Sequence, residues 1–181
     1  MSELSLHAPP PEPVTPPPPA GGWRLVTYWY SQALNWLLVA SVAVLIFPVS
    51  LQIFSRFTQL IPAYIWTEEM ARFLFVWMIM IGSNVGVREA AHFTVDIFPR
   101  LRPRAEAIVT LISGVFVLAF GMVFLVWGIE FTQFAMNRIS ELAELPLWLI
   151  HIAWPVTGAT WLVFQGERML DAILVLQGRE P

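Results

Sequence analysis

The stretch TEEMARFLFVWMIMIGSNVG, Thr67 to Gly86, places two glutamates and an arginine directly before an almost wholly apolar run. The run reaches the ~20 residues that an α-helix needs to cross ~30 Å of hydrocarbon once its charged start is included. We therefore expect a helix that crosses a membrane, with Glu68, Glu69 and Arg72 in its first turns at the membrane surface.

Three further uncharged stretches, residues 25–55, 107–129 and 145–166, have a similar character. Of the 181 residues, 57% are hydrophobic and only 13% are charged, against roughly a quarter charged in soluble domains. The sequence predicts an all-α integral membrane four-helix bundle, with helices at approximately 30–55, 67–87, 106–131 and 146–166. These helices form one transmembrane domain, residues 23–181, in contact with the lipid bilayer.

Residues 1–22 form a segment of different composition, since residues 1–20 hold eight of the fifteen prolines. Proline lacks an amide proton and restricts φ, so such a segment favours extended polyproline-like conformations without a packed core. We expect a disordered Pro-rich N-terminal tail and assign it no role.

The distribution of arginine predicts the orientation. Four spans put both termini on one side, and arginine is enriched on the cytoplasmic side of membrane proteins. The terminus side carries Arg24, Arg88, Arg100, Arg102, Arg104, Arg168 and Arg179, whereas the other side carries Arg56, Arg72 and Arg138. The termini are therefore predicted to be cytoplasmic, and the glutamates of the quoted stretch to lie at the outer surface.

Several function classes are excluded by composition. There is no cysteine, which excludes disulfides, thiolate zinc sites and cysteine-ligated clusters. The absence of lysine excludes the phosphate-binding P-loop. A net charge of −3 gives no reason to expect nucleic acid binding. His92 and His151 fall on opposite sides of the predicted bilayer, so they cannot share a haem iron. We expect no enzyme activity, metal or cofactor.

Two interpretations of the charged helix start remain open. Glu68 and Glu69 precede Arg72 by four and three residues, the spacings of ion pairs on a helix, so the start can be self-neutralised. On a helical wheel, however, Glu68 and Arg72 share one face with four apolar or small residues, Phe75, Ile79, Gly82 and Gly86. Small residues let another helix approach closely, so this face is a candidate protein contact.

Small residues also mark the third helix, where Gly114, Gly121 and Gly128 recur every seven residues. This repeat keeps them on one side of a left-handed crossing, which indicates helix packing within the bundle.

Prolines at positions 48 and 155 are expected to bend helices one and four. No Asp, Glu or Arg lies near a helix centre, which argues against this chain being an ion-coupled translocation unit by itself.

The run from Trp66 to Arg104 resembles the small membrane subunit of TRAP transporters, the tripartite ATP-independent periplasmic uptake systems. The similar elements are EEMAR at the start of helix two, the following FLFVW, Gly82, and then REAAHFTVDIF with Arg88, His92 and Asp96. They occur in order over about 40 residues, and the long Pro-rich tail departs from the family pattern.

The resemblance implies a non-enzymatic subunit in the inner membrane of a bacterium. It would bind a large permease that carries the substrate and sodium sites, while a periplasmic substrate-binding protein delivers an organic acid. Glu68, Glu69 and Arg72 would then stabilise the outer end and its partner contact, and Arg88, His92 and Asp96 would shape the inner loop. The alternatives are a membrane anchor of a redox complex and a small self-associating channel or exporter.

Overall fold

The computed structural model describes residues 21–58, 66–89, 103–141 and 143–178. Its elements are α1 (Gly22–Thr58), α2 (Trp66–Glu89), α3 (Pro103–Ala135), the single turn α4 (Trp148–His151) and α5 (Ala153–Leu176). The predicted all-α architecture with four long helices is confirmed. The predicted Pro-rich tail lies outside the described residues.

The four long helices pack in the order α1, α2, α5, α3, so that α1 and α3 lie at opposite ends of this series of contacts. Arg24 near the start of α1 pairs with Asp171 near the end of α5, and Arg88 at the end of α2 also contacts α5. The start of α1 and the ends of α2 and α5 therefore lie together. We call this the terminus end, and the opposite end the hairpin end.

Three helices, α1, α2 and α3, are long and apolar enough to cross a membrane. Helix α5 runs antiparallel to α3, since Gly128 of α3 faces Pro155 and Gly114 faces Met169. It therefore lies beside the part of α3 that contains Gly114 and Gly128, and its last ten residues are partly charged. Residues from all four long helices form the core cluster, which consists of Leu34, Ile81, Val87, Val117 and Phe164.

Two helices extend beyond their predicted bounds at the terminus end. Helix α1 begins at Gly22 rather than near residue 30, and α5 ends at Leu176 rather than near residue 166. Both extensions are held by the Arg24–Asp171 ion pair, and the Tyr30 and Thr160 hydroxyl groups are 2.8 Å apart. Charged residues that mark the edge of an apolar run thus continue the helix, because each finds a partner on its neighbour.

At the hairpin end, α5 begins later than predicted, after a hairpin to which residues 138–141 and 143–147 belong. The Ser140 amide donates to the Leu145 carbonyl at 2.8 Å, and the Leu147 amide donates to the Arg138 carbonyl at 3.0 Å. The helix then starts after a break at Ile152, which puts Pro155 in the first turn of α5, where its missing amide proton costs nothing. The break between α4 and α5 follows His151, four residues before Pro155, and Pro48 lies inside α1.

Helices α3 and α5 approach most closely at glycine. A Cβ atom added to Gly128 would lie 2.8 Å from the Pro155 nitrogen, and one added to Gly121 would lie 3.4 Å from the Gly158 carbonyl oxygen. A Cβ atom on Gly158 itself would lie 2.6 Å from both the Gly121 oxygen and the Leu125 nitrogen. Gly158, which the sequence pattern did not single out, is therefore the point where the two backbones meet.

We predict that Gly158→Ala destabilises the bundle by about 1–3 kcal/mol, because the methyl group meets backbone that cannot move aside cheaply. Gly166→Ala is the matched control in the same helix, since a Cβ atom there has nothing within 4 Å. Thermal unfolding in detergent, followed by circular dichroism, measures both. Equal melting temperatures for the two variants would contradict the assigned crossing point.

Candidate functional site

The hairpin end of α2 holds the Glu69 carboxylate inside the protein. It accepts hydrogen bonds from the Ser140 hydroxyl group and, at 2.7 Å, from the Ala143 amide. Ser140 is only 6% exposed, and Thr67, which precedes the two glutamates, is only 2% exposed. Because an ionised acceptor makes stronger hydrogen bonds than a neutral one, Glu69 fixes the hairpin onto the first turn of α2.

The neighbouring Glu68 has a different environment. Its carboxylate lies 3.6 Å from the Arg72 guanidinium, and the two side chains are 68% and 66% exposed. An exposed pair of this kind contributes ~0–1 kcal/mol to stability. The two adjacent glutamates therefore divide into one that is bound inside the chain and one that faces outward.

The face of α2 that carries Glu68 and Arg72 remains exposed along the first three turns of the helix. Phe75 and Ile79 are 49% and 48% exposed. Further along, a Cβ atom on Gly82 would lie 3.6 Å from Leu38 of α1. The predicted contact face is thus open in its first half and covered by α1 in its second.

The opposite face of α2 packs within the chain. Phe73, Met80, Ile81 and Asn84 are buried on this face, whereas the buried Gly86 belongs to the second half of the predicted contact face. The Trp77 indole N–H donates to the Leu149 carbonyl at 3.0 Å, which ties α2 to α4. Glu69 lies four residues before Phe73, so its inward position follows the same face.

At the terminus end, Arg88 makes the principal polar contact between α2 and α5. Its guanidinium lies 2.7 Å from the Glu167 carboxylate and 5.1 Å from the centre of the Phe164 ring. The side chains of Arg88 and Glu167 are 30% and 16% exposed, so the pair is shielded more than the one at Arg72. The sequence pattern indicated Arg88 but not Glu167. The feature that could have identified Glu167 is its position directly after an apolar run.

The remaining predicted residues fall into two groups. Gly114, Gly121 and Gly128 all face α5, as described above. His92 and Asp96 lie outside the described residues. Within the described ranges, no three His, Asp or Glu side chains are grouped so as to hold a metal ion.

We predict that Glu69→Gln lowers the stability of the protein by roughly 1–2 kcal/mol, because the amide keeps the size of the side chain but weakens two charge-assisted hydrogen bonds. Glu68→Gln, one residue away and mostly exposed, should change stability by no more than ~0.5 kcal/mol. Chemical or thermal unfolding of both variants in detergent provides the measurement. A larger loss for Glu68→Gln would reverse the assignment of the inward carboxylate.

The chain is similar in sequence to several TRAP transporter permease proteins. It is 28% identical over 128 residues to the isethionate TRAP transporter permease protein DctMQ of Oleidesulfovibrio alaskensis, covering 66% of this chain and 20% of that protein. It is 30% identical over 105 residues to the C4-dicarboxylate TRAP transporter small permease protein DctQ of Rhodobacter capsulatus, covering 56% and 45%. It is 26% identical over 144 residues to the sialic acid TRAP transporter small permease protein SiaQ of Vibrio cholerae, covering 77% and 81%.

The chain therefore spans less than half the length of the first two relatives. A family model matches most of this chain, since residues 45–174 fit the DctQ component of tripartite ATP-independent periplasmic transporters. This region contains α2, α3 and α4 completely, together with the second part of α1 and nearly all of α5. The family consists of transporter permease components and not of enzymes. The chain belongs to the DctQ component family of tripartite ATP-independent periplasmic transporters.

Proposed function

We propose that this chain is the non-catalytic small permease subunit of a sodium-driven TRAP transporter and that it braces a large permease subunit in the membrane. The supporting observation is the position of its charges. Residues 25–55, 73–87 and 107–129 of α1, α2 and α3, together with residues 153–166 in the first part of α5, contain no Asp, Glu, Lys, Arg or His. Charged groups that bind ions or anionic solutes at mid-membrane are therefore missing from these segments, as suits a subunit that supports a carrier.

The large permease is the expected main partner. One of the similar proteins is named DctMQ, and the match covers 20% of its length, which is consistent with a small component joined to a larger one. A second partner, a periplasmic substrate-binding protein, follows from the proposed transporter class. The substrate is proposed only as an organic acid, because its contacts would lie in the other subunits.

We further propose that the outward face of α2 contacts the large permease. This face combines an exposed ion pair, Glu68 and Arg72, with the exposed apolar side chains Phe75 and Ile79. Glu68 and Arg72 are exposed and pair with each other, whereas Glu69 is hydrogen-bonded to the hairpin. An apolar helix face beside charges at the membrane surface can bind another protein without unfolding the chain that carries it.

The arrangement in the membrane follows from the charge distribution. The hairpin end would face the periplasm and the terminus end the cytoplasm of a bacterial inner membrane, in accord with the excess of arginine near the termini. The hairpin fixed by Glu69 would then lie on the side where a periplasmic binding protein approaches.

Uptake by reconstituted components tests the proposed function. Liposomes that contain this chain, the large permease and the binding protein should accumulate an organic acid when a sodium gradient is applied. Liposomes that contain this chain alone should not. Sodium-dependent uptake by the chain alone would contradict the proposal that another subunit is the carrier.

We predict that Arg72→Ala or Glu68→Ala lowers the yield of co-purified large permease by tenfold or more, since truncating one partner of a charge pair buried at an interface costs ~2–5 kcal/mol. Loss of the exposed pair within the chain costs at most ~1 kcal/mol, so the fold should remain intact. Trp77→Phe and Glu106→Ala are the controls, one inside the bundle and one exposed on α3. Equal yields for all four variants would remove the assignment of this face.

A further inference from the structure

A groove of about 420 Å³ lies on α3 at the hairpin end of the bundle. Its volume falls within the range of ~300–1,000 Å³ that is usual for small-molecule sites. Its lining includes Val123, Phe124, Trp127, Glu130, Phe134 and Trp154. It is distinct from the α2 face proposed above for the large permease, because it is formed by α3 and the first turn of α5.

The inner part of the groove belongs to the apolar run of α3 and its outer part to the membrane surface. From Val123 to Ile129, where the uncharged run ends, the helix rises about 9 Å, and from Glu130 to Phe134 it rises a further ~6 Å. Phe134 is the residue before the last of α3, so the groove runs from the helix end toward the bilayer centre. An elongated apolar chain that enters from the membrane surface would fit this course.

The lining of the groove is almost wholly apolar apart from Glu130, so a hydrocarbon chain can occupy it.

Two opposite charges border the groove at its surface end. Glu130 lines it and is exposed, and within the described residues it forms no salt bridge. The Arg138 guanidinium lies 4.0 Å from the centre of the Phe134 ring, which is part of the groove lining. The inner part is apolar and aromatic, and the two charges lie in the outer part, beside Phe131 and Phe134.

We propose that this groove binds a phospholipid with a zwitterionic headgroup that carries a primary amine, such as phosphatidylethanolamine. One acyl chain would lie along Val123 and Phe124, and the phosphate would accept from the Arg138 guanidinium. The ethanolamine would fold back along the membrane surface, so that its ammonium group donates to the Glu130 carboxylate. Aromatic rings beside the ammonium group add cation–π attraction. The inference does not depend on the transport activity or on the binding of a large permease.

Native mass spectrometry of the full chain, released from detergent with added phosphatidylethanolamine or phosphatidylglycerol of the same acyl chains, tests the site. The wild-type protein should retain the ethanolamine lipid about tenfold more than the glycerol lipid, because only the former offers an ammonium group to Glu130. Glu130→Gln should abolish that preference. Glu141→Gln, an exposed hairpin carboxylate at the same end, should preserve it.

Two further variants separate the headgroup contacts from the chain contact. Arg138→Gln should weaken retention of both lipids alike, since both carry the phosphate. Val123→Trp should do the same by filling the inner part of the groove. Thermal unfolding of each variant verifies that it is folded.

Three outcomes would overturn the proposal. One is an unchanged lipid preference in Glu130→Gln. Another is undiminished retention of both lipids in Val123→Trp. The third is release of the lipid when the large permease is co-expressed, together with weaker permease binding by Glu130→Gln, which would make the groove a protein contact.

Discussion

The close approach of α3 and α5 at Gly121 and Gly158 is the constraint on which the other contacts depend. In a bilayer, helices gain little from burying apolar surface against each other, because lipid is equally apolar. Association therefore depends on close packing, and the missing Cβ of Gly158 brings backbone atoms of the two helices together. This contact sets the position of α5 in the bundle.

The position of α5 in turn determines both polar ends. At the terminus end it presents Glu167 to Arg88 and Asp171 to Arg24. At the hairpin end the chain between α3 and α5 has to turn back, and this turn brings Ser140 and Ala143 to Glu69. Specific hydrogen bonds and ion pairs are thus found near the ends of the helices, and apolar packing in their middle.

Much of the architecture could be predicted from sequence. The number of long helices follows from the lengths of uncharged runs, and the heptad of glycines on α3 indicated a packing surface that the structure places against α5. The roles of Glu68 and Glu69 could not be separated in the same way. In a soluble helix the apolar face is the inner face, but in a membrane helix both faces are apolar, so the exposed Phe75 and the buried Phe73 are the same residue type.

The ends of the helices were also only partly predictable from sequence. Hydropathy marks where an apolar run ends, whereas a helix continues as long as its backbone hydrogen bonds and side-chain partners allow. The Arg24–Asp171 pair lies in the part of α5 that continues beyond the predicted end at residue 166. No local signal in the sequence reports a partner that is 147 residues away.

Sequence alone determined that this protein has four long, mainly apolar helices, each with a long uncharged stretch, because transfer of charge into hydrocarbon is costly at any position. The tertiary structure decided which of two adjacent glutamates is internal, which glycine is the crossing point, and which apolar faces remain open. These choices depend on how the helices are rotated and placed against one another. Short-range contacts between distant residues fix that arrangement, and hydropathy does not encode it.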